Sequence, residues 1–203
     1  MALLMLLVAA GASAATFDLD PGQGALYVLV RRERDTVASA LAHDHVVAAT
    51  NWTGRVALDT GSCSAAVVVP VRSLLVDEPS WRARAGLSPI TSRQARKVRA
   101  SMLDDDQLHV SAFSEITFAA DGCSAAGTTL TVVGRLTIRG VTRDVAVPLR
   151  VATADGRLGA TGTFTMRATD FGFEPYSAFL GSVKNKDEMA VVVDVVGVPR
   201  APG

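Results

Sequence analysis

The residue pattern predicts an all-β fold with one short helix. Two observations carry this. From about residue 25 onward apolar and polar residues alternate with a period of two, the mark of strands buried on one face. One stretch, Pro79 to Leu103, breaks that period; it reads as a loop followed by a helix, with Thr91 or Ser92 as N-cap and Ala95, Val98 and Met102 at helical spacing.

The composition is that of one globular domain: 203 residues, 49% hydrophobic, 20% charged and 5% aromatic, with twenty Lys and Arg balancing twenty Asp and Glu. That hydrophobic content argues against intrinsic disorder. The missing basic excess argues against nucleic acid as a partner, because phosphate neutralisation supplies most of that affinity. Beyond residue 15 no apolar run approaches the roughly 20 residues that a spanning helix needs.

Residues 1–15 read as a secretion signal. Met1 to Ala10 is an apolar run, the small-residue stretch with Ala12 and Ala14 follows it, and no Lys or Arg precedes it. On this reading the chain is exported, to the periplasm or beyond, residues 16–198 are the domain, and 199–203 are a tail. Cys63 and Cys123, the only cysteines, would then mature in an oxidising compartment, where a pair is more often a bridge than two thiols. Each lies in a Gly/Ser-rich tip between apolar runs, and neither has an adjacent base that would suggest catalysis. A bridge between them closes a long loop, worth roughly 4 kcal/mol in the chain-entropy model.

Strands are expected over 25–32, 36–47, 52–59, 65–72, 107–118, 130–139, 145–151, 158–167 and 189–196, about nine in all. In the sixth, Leu130, Val132, Leu136 and Ile138 share one face, and Gly134 on that face marks a bend or a close approach. After a turn at Gly140-Val141-Thr142, Val145, Val147, Leu149 and Val151 point inward. Asp155-Gly156 is a hairpin turn, and Leu158, Ala160, Phe164 and Met166 continue the apolar face. Strands joined so tightly are antiparallel, and closure into a barrel or sandwich removes their edges. A barrel of about eight strands has room for one small ligand.

The helical segment is basic. Arg93, Arg96, Lys97 and Arg99, with Arg82 and Arg84, stand together with no acid between Glu78 and Asp104. The 82–99 segment is either a solvated face or a peripheral contact for anionic head groups at a membrane.

Nucleophile elbow, phosphate loop, dinucleotide fingerprint and Cys-x-x-Cys are all absent, so nothing recommends an enzyme or a cofactor. Two groupings remain. His43 and His45 would lie on one strand face with Leu41, which suits either a metal chelate or hydrogen bonds at a polar barrel mouth. A metal would need a further ligand such as Asp170 or Glu174, since His109 falls on the solvent side of its expected strand. Phe171, Phe173, Tyr176 and Phe179 gather in an irregular stretch with Gly172, Pro175 and Gly181 and would plug one end of the barrel or line an entrance.

The run Gly134-Arg135-Leu136-Thr137-Ile138-Arg139-Gly140-Val141-Thr142-Arg143-Asp144-Val145 resembles the hairpin motif of the YceI-like family, exported lipocalin-like barrels that bind polyisoprenoids and related lipids. Val71-Arg72-Ser73-Leu74, Phe113-Ser114-Glu115-Ile116-Thr117-Phe118 and Arg167-Ala168-Thr169-Asp170-Phe171-Gly172 are similar to further stretches of that family, with Ser114 in place of its usual proline. The resemblance covers most of residues 17–197. It implies an extended eight-stranded antiparallel lipocalin-like β-barrel with a long apolar interior, and a non-enzymatic role in carrying or sequestering an isoprenoid or other long-chain lipid. Candidate contacts are Leu41, Val56, Leu58, Leu136, Ile138, Phe164 and Met166 along the tail, Phe173, Tyr176 and Phe179 at the entrance, and His43 and His45 at a polar head. The alternatives are a metal- or haem-binding protein using His43 and His45, an enzyme acting on a lipid head group, and a barrel whose small side chains pack solid and leave no cavity.

Overall fold

The computed structural model describes residues 15–36, 42–59, 62–178 and 180–200. They form a single antiparallel sheet of twelve strands. In chain order these are β1 (Ala15–Leu19), β2 (Ala25–Arg32), β3 (His45–Ala49), β4 (Thr53–Asp59), β5 (Ser62–Pro70), β6 (Leu74–Val76), β7 (Glu115–Ala126), β8 (Thr129–Ile138), β9 (Val141–Ala154), β10 (Arg157–Arg167), β11 (Ser177–Ala178) and β12 (Val183–Pro199). Two short helices, α1 (Pro79–Arg84) and α2 (Ser92–Leu103), separate β6 from β7.

The sheet closes into an eight-stranded barrel. Its ring runs β12-β1-β4-β5-β7-β8-β9-β10 and back to β12. The length of β12 makes this possible: its C-terminal residues 197–199 pair with β1, while residues 185–194 pair with β2. The flap β2-β3-β6 therefore extends the wall at the other end of β12. That end, the mouth of the barrel, also carries the β8–β9 hairpin. The opposite end carries the β7–β8 and β9–β10 hairpins.

Local chemistry explains the tight hairpins. Ile138 pairs with Val141, so the two-residue turn is Arg139-Gly140, one residue earlier than the alternation suggested. Both of its residues are left-handed, at φ 53° and 73°, as are Asp155 and Gly156 at 52° and 73°. This is the primed geometry that matches strand twist, and glycine adopts it at no steric cost. Gly134 fills the inward position where a close approach was expected: a Cβ there would lie 2.7 Å from the Ala119 carbonyl oxygen and the Phe118 ring.

Four expectations need correction. Residues 107–114 are not strand. Leu108, Val110 and the helix residues Met102 and Leu103 do pack against the core, which is why the alternation looked right. However, His109 takes φ 48°, and its amide folds back on the Asp104 carbonyl, so the chain turns instead of extending. The expected strand over 36–47 is replaced by β3, which begins only at His45, and residues 37–41 lie outside the described residues. Cys123 is not in a tip either: β7 continues through it past a register shift between Ala120 and Gly122. Finally, Pro79 to Arg84 is a helix and not a loop, with proline in its first turn, where the missing N–H costs nothing.

The expected bridge is present: Cys63 and Cys123 are disulfide-bonded, joining β5 to its neighbour β7 across a sequence separation of 60. Helix α1 covers the outer face of the flap, where Val46 and Ala48 are fully buried and Trp81 packs on Tyr27. Helix α2 starts where expected, with Thr91 as N-cap in a reciprocal capping box with Gln94.

Candidate ligand cavity and its polar mouth

The inward faces of the strands do not fill the barrel. They enclose an apolar space of about 210 Å³ that follows the barrel interior. One wall of it is β8, lining from Leu130 to Ile138, which is about 26 Å of strand and about 20 Å along the axis after barrel tilt. A volume of that size spread over that length is narrow, the shape of an extended chain and not of a compact molecule. Apart from Ser64, Tyr27, Trp52 and the disulfide sulfur of Cys63, its lining side chains are all hydrocarbon or thioether. The reason is compositional: small inward residues such as Ala49, Ala65 and Ala160 leave room that bulkier ones would take.

Val56, Leu58, Leu136, Ile138, Phe164 and Met166, the residues expected along a tail, all line this space. Those expected at an entrance are placed differently. Phe173 stands outside the lining and packs with Phe171, Leu136 and Ile138 in the cluster that closes the mouth end. Phe171 is 1% exposed and serves as a plug. Tyr176 is on the surface, its carbonyl taking the Asn185 amide. Leu41 and Phe179 lie outside the described residues. Sequence reasoning missed Leu19, Trp52 and the column Val191, Val193 and Val195, which also line the cavity. The alternation of β12 from Met189 onward held the signal for that column.

The two histidines do not share a strand face. His45 opens β3, while His43 precedes it in irregular chain. His45 belongs to a buried polar cluster centred on Asp77, whose carboxylate is fully buried and whose backbone sits at φ 55°. That carboxylate accepts hydrogen bonds from Arg82 Nη1 at 2.5 Å and the Val46 amide at 3.1 Å, and lies 2.6 Å from His45 Nδ1. Arg82, itself buried, also donates to the carbonyls of Asp44 and Ser88. Burial pushes the Asp77 carboxyl upward, but the hydrogen bonds and charges of its partners outweigh it and hold the group below the ordinary carboxylate range. At His43, burial first and then the neighbouring His45, Arg82 and Arg32 push the imidazole below its usual value, so it is neutral at pH 7. Its Nε2 lies 3.3 Å from the Gln94 amide nitrogen, which ties the start of α2 to the mouth.

This arrangement suits a structural clamp better than a metal centre. His45 Nδ1 is engaged by Asp77, and the guanidinium of Arg82 stands where a cation would have to bind. Among the described residues no group of three or more His, Cys, Asp or Glu side chains stands together to hold a metal, and Asp170 and Glu174 are exposed.

A family model, the YceI-like domain, matches residues 27–197. The chain belongs to the YceI-like family. Its barrel is similar to the crystal structure of Burkholderia cenocepacia BcnA, with a TM-score of 0.66 at 17% identity, covering 88% of this chain and 98% of that one. It is also similar to the YCEI protein of Campylobacter jejuni, with a TM-score of 0.57 at 12% identity over 77% and 85% of the two chains. No curated protein matches the sequence. At such identities the likeness carries the YceI-like fold alone. Within that fold, the cavity and the Asp77 cluster are features of this chain's own residues.

Proposed function

We propose that this YceI-like protein is an exported, non-enzymatic carrier that holds or sequesters a long amphiphilic lipid of isoprenoid type in its barrel. The observation that carries the reading is the narrow hydrocarbon-lined cavity running the length of β8. Such a space rewards a chain: each buried methylene contributes about 0.8 kcal/mol, whereas a polar ligand would leave its hydrogen-bonding groups unpaired against that lining. Membership of the YceI-like family supports a lipid as cargo. The Cys63–Cys123 bridge supports export, since disulfides persist in oxidising compartments.

Native mass spectrometry of exported protein purified without detergent tests this. The expected result is an intact mass exceeding the denatured mass by a lipid-sized adduct. A bare protein, or one carrying a single metal ion, would overturn the reading.

A further inference from the structure

Of the six cations in the basic segment, three are already partnered within the molecule. Arg82 is buried on Asp77, Arg84 pairs with Asp194 and stacks on Trp81, and Arg99 donates to the carbonyls of Leu74 and Arg72. Arg93, Arg96 and Lys97 remain. All are exposed, and none has an ion-pair or hydrogen-bond partner among the described residues. Their spacing of three and four puts them on one face of α2, opposite the face of Ala95, Val98 and Met102. Exposed acids share this barrel end, since the carbonyls of Asp105 and Asp106 hold Arg139 of the β8–β9 hairpin and Gln107 contacts the carbonyl of the exposed Glu174, so the cationic surface is the outer face of α2 and not the whole rim.

This cationic face lies at the mouth, because Gln94 at the start of α2 contacts His43, just ahead of β3. The same end carries Leu180, the most exposed large hydrophobic among the described residues, at φ 55° between β11 and β12. Tyr176 is exposed just before β11, and Lys184 and Lys186 are exposed at the start of β12. The α2 cations, the lysines of β12 and the apolar Leu180 and Tyr176 thus stand at separate points of one barrel end, with Asp105, Asp106 and Glu174 also exposed there. A flat anionic interface meets such a rim at many points, whereas a folded partner needs a complementary contour.

We propose that the mouth end docks on an anionic lipid bilayer, with Arg93, Arg96 and Lys97 reading head groups and Leu180 and Tyr176 entering the interface. The contact stands on these residues. Its use, loading cargo through the mouth, rests on the carrier reading.

Vesicle flotation tests it, comparing phosphatidylcholine vesicles with vesicles that also contain phosphatidylglycerol. The expected result is selective flotation with the anionic vesicles at low salt, weakened roughly a hundred-fold in Arg93→Gln/Arg96→Gln/Lys97→Gln. Leu180→Ser should retain the low-salt binding but lose whatever survives at high salt. These four positions are exposed, so circular dichroism should be unchanged. Equal affinity for both vesicle types, or a triple variant that binds like the parent, would overturn the proposal. The same preparations are weighed by native mass spectrometry. A lipid adduct without vesicle selectivity defeats the docking proposal alone, and selectivity without an adduct defeats the carrier reading alone.

Discussion

Asp77 holds three separate pieces of chain at once: the amide of Val46 on β3, the ring of His45, and the guanidinium of Arg82 on α1. Truncating it leaves a buried cation without a counter-charge, a loss of about 3–5 kcal/mol. Asp77→Ala should lower the urea midpoint accordingly, while Asp77→Asn/Arg82→Met, which removes both charges, should cost less than the sum of its parts. A double variant as damaged as that sum would show that the pair is not coupled. His43 adds a pH dependence. Its folded pKa lies below the ordinary 6.5, so the unfolded chain takes up the proton first. The stability it contributes is complete above about pH 6.5 and falls as pH drops below that value, well before the depressed Asp77 carboxyl begins to protonate. Urea midpoints measured from pH 8 to 5 should fall for the parent and fall less for His43→Gln; parallel curves would refute the assignment. Neither role was legible in sequence. Asp77 and His45 are 32 positions apart, and periodicity carries no information about which distant charge a buried histidine meets.

At the level of elements, strands that alternate cleanly on one face, β8, β9 and β10, were legible to within a few residues and with the correct inward parity. Period two fails as a signal where apolar side chains are buried by a folded loop. Leu108 and Val110 alternate as if extended, yet the three consecutive aspartates before them end a helix and the left-handed His109 reverses the chain. Short strands such as β6 and β11 have too few residues to show any period and depend on their neighbours for existence. The opposite case is α2, whose start is specified locally by Thr91 and Gln94. None of its residues is fully buried, so its caps matter more than they would in a core helix. Thr91→Ala should cost about 1 kcal/mol, and because Gln94 also contacts His43 the loss should appear as earlier amide exchange in both α2 and the mouth. Exchange confined to α2 would show that the helix and the mouth are not linked.

For the whole molecule the decisive quantity is the volume left inside the closed ring, and sequence could not supply it. Alternation predicts which side chains point inward but not whether they meet across the axis; the same small residues that leave a channel in a wide barrel would pack solid in a narrow one. Ala160 makes the difference testable. It lines the cavity with a side chain that is 5% exposed, on a strand paired to both β9 and β12. In a packed interior, Ala160→Phe would force its neighbours aside at a cost of about 1–3 kcal/mol. In a hollow one, the ring moves into existing space and gains contacts it would otherwise lack. Ala160→Phe should therefore unfold at a urea concentration close to that of the cargo-free parent, while its native mass shows no lipid adduct. Strong destabilisation together with a retained adduct would mean that the ring cannot enter the space the lipid occupies, and that the cargo path lies elsewhere in the barrel.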